Sequence, residues 1–215
     1  MCSSDLVERI DLYQMHWPAE DGTPLEDYWG TLLQLKEEGK VRAVGLSNHD
    51  VAQLEAAEQV GHVDTLQPPF SAIRREVAAA ELSWCAAHGT GVIVYSPMQS
   101  GLLTGAFTLE RAAQLGADDW RSRSSDFTGL GLRRNVALAD ALRPIAERHR
   151  TSVAAVAVAW TLAWTGVTGA IVGARSPDQV DGWIGAASLE LTDTDLNDVA
   201  VAIRRTGAGT GPVRP

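Results

Sequence analysis

Residues 10–47 read IDLYQMHWPAEDGTPLEDYWGTLLQLKEEGKVRAVGLS, and this stretch decides the fold class. A short apolar run at 10–15 is followed by an amphipathic segment at 25–38, and a second β-branched run follows at 41–46. Strand, helix and strand in this order form a βαβ unit, whose two strands lie parallel in one sheet. The stretch therefore predicts an α/β protein with a parallel sheet.

The same alternation continues along the rest of the chain. Strands are predicted at 10–15, 41–46, 65–67, 91–95 and 169–172. Helices are predicted at 25–38, 51–60, 77–88, 135–149, 153–164, 177–185 and 192–205. Polar residues that can accept backbone N–H bonds stand at helix starts, and glycines that can adopt a left-handed conformation stand at helix ends. The predicted N-caps are Asp50 and Thr151 or Ser152, and the predicted C-terminal glycines are Gly39, Gly61 and Gly89.

Five βα units are too few to close a (β/α)8 barrel, which needs eight strands and typically about 250 residues. Three architectures stay open: an incomplete barrel, a complete doubly wound sheet, and a barrel closed by association with another chain. A doubly wound sheet should carry a glycine-rich phosphate turn after its first strand, where this chain has residues 15–18, MHWP. We favour an incomplete barrel domain over residues 1–206, with a flexible Gly/Pro-rich tail at 207–215.

Composition limits the partners that can be expected. The 215 residues carry a formal net charge of -9, which argues against a nucleic-acid partner. The longest apolar helical run, residues 153–164, is shorter than the roughly 20 residues that span a bilayer, and no signal peptide is recognised. The two cysteines, Cys2 and Cys85, lie far apart and neither has a second metal ligand nearby, so we expect no disulfide, no metal site and a cytoplasmic location.

Polar or aromatic residues follow each predicted strand. Since the carboxyl ends of parallel strands carry the site in barrel enzymes, we expect these residues to share one site. They are His16-Trp17, Ser47-Asn48, Gln67, Tyr95-Ser96 and Gly173-Ala174-Arg175.

Five motifs at these strand ends resemble those of the aldo-keto reductases. The motifs are DLYQMHWP at 11–18, GLSN at 45–48, LQPPFS at 66–71, VYSPM at 94–98 with GLLTG at 101–105, and IVGARSPDQ at 171–179. The resemblance covers nearly the whole chain. It implies a (β/α)8 TIM barrel, incomplete here and comprising about strands 4 to 8 with their helices.

The resemblance also implies an activity: reduction of an aldehyde or ketone to an alcohol, with NADPH as hydride donor and a small-molecule carbonyl as substrate. His16 is the implied catalytic residue, which hydrogen-bonds and polarises the substrate carbonyl. Ser47, Asn48 and Gln67 are implied to hold the nicotinamide carboxamide, whose acceptor and two donors need a mixed set of partners. Tyr95 is implied to stack on the nicotinamide ring.

The remaining implied contacts lie along the phosphates of the cofactor. Ser96, Met98, Gly101 and Leu102 are implied to border the pyrophosphate. Arg175 is implied to bind the adenosine 2′-phosphate, and this is the reason for expecting NADPH. The two other implied cofactor-binding residues are Gly173 and Gln179.

The sequence departs from the family pattern in two places. The family's proton-donating tyrosine, with its lysine and aspartate, has no counterpart beside His16, and we therefore expect the chain alone, as an N-terminally truncated fragment, to be inactive. Gly182 and Trp183 stand where relatives carry an acid and an asparagine near the adenine. The alternative hypothesis is a noncatalytic NADP(H)-binding regulatory or interaction module.

Three other features are interpreted from their surroundings. Trp160 and Trp164 fall on one helical face and are predicted to be core or subunit contacts. Residues 129–131, GLG, are predicted to be loop. Trp120 or Arg121, in the long segment after the fourth strand, is predicted to contact ligand.

Overall fold

The structure, a computed structural model, describes residues 8–215, and its centre is one five-stranded parallel sheet. The strands are β1 (Ile10–Met15), β2 (Val41–Ser47), β3 (Thr65–Gln67), β4 (Gly91–Tyr95) and β5 (Val167–Ile171). Their spatial order is β1-β2-β3-β4-β5, the same as their order in the chain. All four neighbouring pairs are parallel, so every strand points its carboxyl end toward the same edge of the sheet.

Helices follow each strand and cover the sheet. The α-helices are α1 (Leu25–Glu37), α2 (Val51–Val60), α3 (Glu81–His88), α4 (Leu109–Ala113), α5 (Gly129–Ala141), α6 (Arg143–Arg148), α7 (Val153–Leu162), α8 (Pro177–Asp181) and α9 (Asp193–Thr206). Short 3-10 helices lie at Glu76–Ala79, Gln99–Thr104, Trp120–Arg123, Ser125–Phe127 and Ile184–Ser188. The strand and helix predictions thus match the observed elements closely, with β5 beginning two residues earlier than predicted.

This architecture corrects the fold class predicted from the sequence. The prediction of an incomplete (β/α)8 barrel, comprising about strands 4 to 8, is wrong. The residues described form a TIM-barrel-like α/β fold of five parallel strands, in which the strands follow one another without a gap from β1 to β5. The prediction rested on comparing the number of strands with the eight strands of a closed barrel. Five parallel strands covered by helices can nevertheless pair with one another in a single sheet.

Most predicted helix ends are confirmed by their hydrogen bonds. Asp50 and Gln53 form a reciprocal capping box at the start of α2, and the Ser152 side chain accepts from the Ala155 N–H at the start of α7. Gly39 and Gly89 adopt positive φ angles of 74° and 71°. Gly61 does not, since its φ is 174°, and its carbonyl accepts a bond from Trp29.

The helix predicted at 177–185 ends at Asp181, and two further helix predictions and one loop prediction also differ from the structure. The segment predicted as one helix at 77–88 is divided by Ala80, whose φ of -144° lies outside the helical range. The segment predicted at 135–149 is divided at Leu142, with Pro144 at the start of α6. Residues 129–131, predicted as loop, form the first turn of α5. A Cβ on Gly131 would lie 2.1 Å from the Ser125 carbonyl oxygen, so the helix begins where glycine permits close approach.

The core joins the sheet to α7. Residues 153–161 of this helix are all buried, which explains its apolar composition. Trp160 stacks on Phe70 with ring centroids 5.6 Å apart, and Trp164 meets Phe70 edge-on at 5.4 Å. Both tryptophans are therefore core residues. No helix within residues 8–215 is long and apolar enough to cross a membrane.

Residues 207–215, predicted as a flexible tail, lie against the segment that follows β3. Arg75 is 2% exposed, and its guanidinium donates to the carbonyls of Ala72, Ala208 and Pro212. Thr210 forms a parallel bridge with Arg74. A buried guanidinium needs acceptors, and this segment supplies two of them, so in place of a free tail the structure has a segment with fixed partners.

Candidate active site

A cavity of 680 Å³ opens at the carboxyl ends of β4 and β5. Its walls come from the segment after β4, the segment after β5, and the start of α7. Seven of the predicted cofactor-binding residues line it: Tyr95, Ser96, Met98, Gly101, Gly173, Arg175 and Gln179. The structure thus gathers residues that are up to 84 positions apart, from Tyr95 to Gln179, around one space of the size expected for a small-molecule ligand.

Hydrogen bonds of Asn48 connect the ends of three strands next to this cavity. Its side-chain N–H donates to the His16 carbonyl at 2.9 Å, and its Oδ1 accepts from the Tyr95 hydroxyl at 2.8 Å. Burial raises the pKa of Tyr95, which keeps the hydroxyl protonated and able to donate. Asn48 has a φ of 63°, uncommon for a residue other than glycine, so the fold holds it in a sparsely populated conformation.

Ser47 and Gln67 are placed beside Asn48, but their side chains already have partners. The Ser47 hydroxyl is nearly buried and donates to the Gln67 carbonyl at 2.8 Å. The Gln67 side-chain amide donates to Gln14 at 2.6 Å, and Gln14 donates in turn to Thr65. Both residues therefore brace the ends of β1, β2 and β3 beside Asn48, and their contact with a nicotinamide carboxamide stays a prediction.

His16 lies directly after β1, with its side chain exposed to solvent. Its ring stands 5.7 Å from the ring of Trp17, which is 53% exposed. His16 is joined to the other strand ends through its carbonyl bond with Asn48. His16 lies at the edge of the sheet formed by the carboxyl ends of the strands, but it does not line the 680 Å³ cavity.

The turn after β4 concentrates unusual backbone conformations. Of the five non-glycine residues with positive φ within the described chain, four are Asn48, Ser96, Gln99 and Ser100, all at this edge of the sheet. Gly101 has a φ of 101°, and its N–H donates to the Met98 carbonyl at 3.1 Å. Strained backbone of this kind clusters at ligand sites because the surrounding structure must hold it in place. Leu102 is fully buried and does not line the cavity, so its predicted contact with the pyrophosphate stays a prediction.

Three arginines give one end of the cavity a positive charge. Arg175 is exposed, and its backbone N–H donates to the Gln179 side chain at 2.8 Å. Arg121 is held by Asp119 through bonds of 2.6, 3.0 and 3.2 Å. These bonds from Arg121, together with the positive charge of Arg175, lower the pKa of Asp119 to about 2. Arg111 is the third arginine of the cavity wall.

Sequence reasoning missed several residues of this wall. Phe107 is 4% exposed, and the guanidinium groups of Arg111 and Arg121 lie over its ring at 5.6 and 5.9 Å. Phe107 and Arg111 are the two that the sequence did not indicate, because no motif marks them and only folding brings them to Arg121. The prediction that Arg121 contacts ligand stays a prediction, since the structure shows its position in the wall alone. Gly182 and Trp183, which the sequence analysis singled out, also line the cavity.

Fold and site define a barrel-type α/β protein with a ligand cavity at the carboxyl ends of its parallel strands. The profile of the aldo/keto reductase family matches residues 5–204, and the chain belongs to this family. The family match therefore extends over nearly the whole length that forms the five βα units.

Individual relatives support the same conclusion. The NADH-specific methylglyoxal reductase of Escherichia coli is 29% identical over 93% of this chain and 61% of its own length. The aldo-keto reductase YhdN of Bacillus subtilis is 30% identical over 93% of this chain and 60% of its own. The glycerol dehydrogenase of Gluconobacter oxydans superposes with a TM-score of 0.88 at 32% identity, covering 96% of this chain and 62% of that structure. The chain thus spans about three-fifths of the length of these relatives, and this common part agrees with the corrected fold class.

Proposed function

We propose that this chain forms the cofactor-binding part of an NADPH-dependent carbonyl reductase, which reduces a small aldehyde or ketone to an alcohol. The observation that supports the proposal best is the joining of strand ends by Asn48, next to a cavity that gathers seven predicted cofactor-binding residues. A reduced nicotinamide supplies the hydride in such a reaction, and the protein positions the reactants.

The residues of the site suit such a cofactor. The two amide hydrogens of Asn48 are donated to the His16 carbonyl and the Ser47 hydroxyl, while its Oδ1, which accepts from Tyr95, has a second lone pair that can accept from a carboxamide N–H. Ser96, Met98 and Gly101 belong to the turn after β4 that lines the cavity, where a pyrophosphate would bind. Arg175 lines the same cavity, so one elongated anionic molecule can contact Tyr95, this turn and Arg175.

His16 is the proposed contact of the substrate carbonyl. The His16 backbone carbonyl accepts from the Asn48 amide, which places the exposed imidazole at the same strand ends, where a bound substrate would meet the nicotinamide end of the cofactor. An imidazole N–H can donate to a carbonyl oxygen and thereby orient and polarise it.

The choice of NADPH over NADH rests on the arginines. α8, which follows Arg175, has only five residues, so the guanidinium rather than the helix must bind a 2′-phosphate. The named preferences of relatives differ: the Escherichia coli protein is NADH-specific, whereas the yakc protein of Schizosaccharomyces pombe carries NADP(+) in its name. We favour NADPH because Arg111, Arg121 and Arg175 share one cavity wall.

The test is equilibrium binding of NADPH and NADH, measured by the fluorescence of the reduced nicotinamide. Wild type should bind NADPH more tightly than NADH. Arg175→Ala should lower the affinity for NADPH by about tenfold or more, because charge-assisted hydrogen bonds are worth about 1.5–3 kcal/mol. The affinity for NADH should change little. Arg42→Ala is the matched control, because Arg42 lies at the opposite end of the sheet and pairs with Asp11 at 3.1 Å. A preference for NADH in wild type would refute the choice of NADPH, and failure to bind either would refute the function.

We also propose that no tyrosine of this chain donates the reaction's proton, so that the 215 residues alone turn over no carbonyl. Of its three tyrosines, Tyr28 and Tyr95 already hydrogen-bond to His49 and Asn48, and Tyr13 lies inside β1 opposite Val44. The chain's two lysines pair elsewhere: Lys36 contacts Asp64, which precedes β3 at the amino-terminal edge of the sheet, and Lys40 contacts Glu38.

NADPH oxidation with methylglyoxal and glyceraldehyde tests this point directly. Oxidation at about 1 s⁻¹ or more, the rate typical of enzymes, would contradict it. Cofactor binding without turnover is the expected result. The second candidate function, a noncatalytic NADP(H)-binding regulatory or interaction module, predicts the same result. The engaged tyrosine hydroxyls are the observation that keeps this candidate in consideration.

A further inference from the structure

Tyr28 and His49 form a hydrogen-bonded pair, partly buried at Tyr28 and buried at His49, that the proposed reaction does not use. The Tyr28 hydroxyl lies 2.8 Å from His49 Nε2, and His49 Nδ1 lies 2.8 Å from the Ser47 carbonyl. His49 is only 3% exposed. A carbonyl can only accept a hydrogen bond, so Nδ1 carries the hydrogen, and Nε2 accepts from the Tyr28 hydroxyl. Burial lowers the pKa of His49, which favours this neutral form.

The pair is directly connected to the strained residue of the site. Asn48 lies between Ser47, whose carbonyl His49 binds, and His49 itself, and its φ is 63°. From this conformation its amide reaches the His16 carbonyl and the Tyr95 hydroxyl. A conformation that costs free energy needs support from its surroundings, and the two bonds of His49 provide it from the adjacent position in the chain.

We propose that the Tyr28–His49 pair is a positioning device, which holds Asn48 in the conformation that receives the nicotinamide carboxamide. The inference rests on the proposed function, since it concerns the nicotinamide end of the same cofactor. Tyr28 belongs to α1 and His49 to the turn before α2, so the pair also fixes the helix that follows His16 relative to the carboxamide partner.

The fold itself does not depend on the Tyr28 hydroxyl. α1 is anchored by the fully buried Trp29, whose Nε1 donates to the Gly61 carbonyl at 2.9 Å, and by the ion pair of Lys36 with Asp64 at 2.7 Å. Tyr28→Phe keeps the ring in place and removes one hydroxyl. Its effect should therefore be local to the turn at residues 47–49.

The experiment compares two probes on the full chain by titration. One is the nicotinamide cofactor that wild type binds, and the other is the same molecule without its nicotinamide ring, 2′-phospho-ADP-ribose for NADPH or ADP-ribose for NADH. Tyr28→Phe should weaken the complete cofactor about threefold to tenfold, the range of one net hydrogen bond. Binding of the ring-free probe should stay within about twofold, because its contacts lie at independent positions.

A second variant and a control guard against a trivial loss of folding. His49→Asn retains a donor near Nδ1 for the Ser47 carbonyl and loses the acceptor for Tyr28, so it should reproduce the selective loss. The double variant should cost little more than either single one. Tyr13→Phe, a change of the same kind on a tyrosine that is 46% exposed, should alter neither probe.

Three outcomes overturn the inference. Equal weakening of both probes would assign the pair a general structural role. Unchanged binding of the complete cofactor in Tyr28→Phe and His49→Asn would show that Asn48 needs no such support. If wild type binds the ring-free probe but gains nothing from the nicotinamide ring, the carboxamide has no partner to position; if wild type binds no probe at all, the proposed function fails with it.

Discussion

Asp195, the third residue of α9, is predicted to be a major source of stability at neutral pH. Its carboxylate is 2% exposed and accepts bonds from the Thr192 N–H at 2.9 Å, the Thr192 hydroxyl at 2.7 Å, Arg148 at 2.6 Å and His149 at 2.8 Å. Asp195→Asn keeps the shape of the side chain, removes its charge and turns an amide N–H toward donors. Because breaking a buried charge pair costs about 3–5 kcal/mol and the Asn oxygen retains part of the bonding, we expect a loss of about 2–3 kcal/mol.

Asp198→Asn is the matched control for this prediction. Asp198 contacts the same Arg148 nitrogen, at 2.7 Å, yet it is 48% exposed. An exposed ion pair contributes less than about 1 kcal/mol. Urea unfolding followed by circular dichroism at pH 7 should therefore separate the two variants, and thermal unfolding should show a decrease of about 4–12 °C for Asp195→Asn. Equal losses in the two variants would refute the reasoning, because they would assign no special value to the buried carboxylate.

The same prediction has a pH dependence of definite sign. Burial alone would raise the pKa of Asp195, but the bonds from Thr192, Arg148 and His149 outweigh it and hold the pKa below its usual value of 3.8. A carboxyl whose pKa is depressed by folding contributes stability that is fully present above the unfolded value and is lost as the pH falls through the folded one. The difference between wild type and Asp195→Asn should thus shrink as the pH falls below about 4. A difference that grows as the pH falls below about 4 would contradict this assignment.

Three further predictions test the core, a thiol and the last segment. Trp160→Ala should lower the free energy of unfolding by about 3–5 kcal/mol, measured by urea titration, because it removes a 1% exposed ring stacked on Phe70; a loss below about 1 kcal/mol would contradict its place in the core. Burial raises the pKa of Cys85 to about 12, so a thiol reagent at pH 8 should react with Cys85 only after the protein unfolds. The experiment uses the Cys2→Ser variant, which removes the cysteine outside the described residues. Rapid labelling of the folded protein would refute this prediction. Gly209→Ala should increase proteolytic cleavage of residues 207–215, because a Cβ at this position would lie 1.6 Å from the Ile73 carbonyl oxygen and Gly209 has a φ of 59°. The control is Gly22→Ala, at a positive φ with open space around the Cβ, which should leave this cleavage unchanged.

Local pattern was sufficient to predict most of the elements. β1 and α2 have the predicted bounds because a β-branched run and a capped amphipathic segment carry their own signals. The break at Ala80 carries no such signal, since alanine favours helices and only packing of the surrounding chain imposes its φ of -144°. The predicted fold class was wrong for a different reason. It was derived from the number of strands, which does not determine how those strands are arranged in the sheet.

The site was predictable only in part, for a related reason. Residues at strand ends, such as Asn48 and Tyr95, could be grouped because a parallel sheet brings carboxyl ends to one edge. The contact of Tyr28 with His49 joins α1 to the turn before α2, at positions 21 residues apart, and no periodicity encodes it. The same holds for Phe107 beneath its two arginines. Their roles depend on tertiary distances, which a local pattern does not contain.

The hydrogen bonds from Arg75 to residues 207–215 have a practical consequence for protein engineering. Gly/Pro-rich chain ends are commonly trimmed before crystallisation or extended with affinity tags. Here, trimming at residue 206 would remove the Ala208 and Pro212 carbonyls and leave a buried guanidinium with the Ala72 carbonyl alone among these three acceptors. An affinity tag is therefore better added after Pro215 through a long spacer, and shortening this chain end is the modification to avoid.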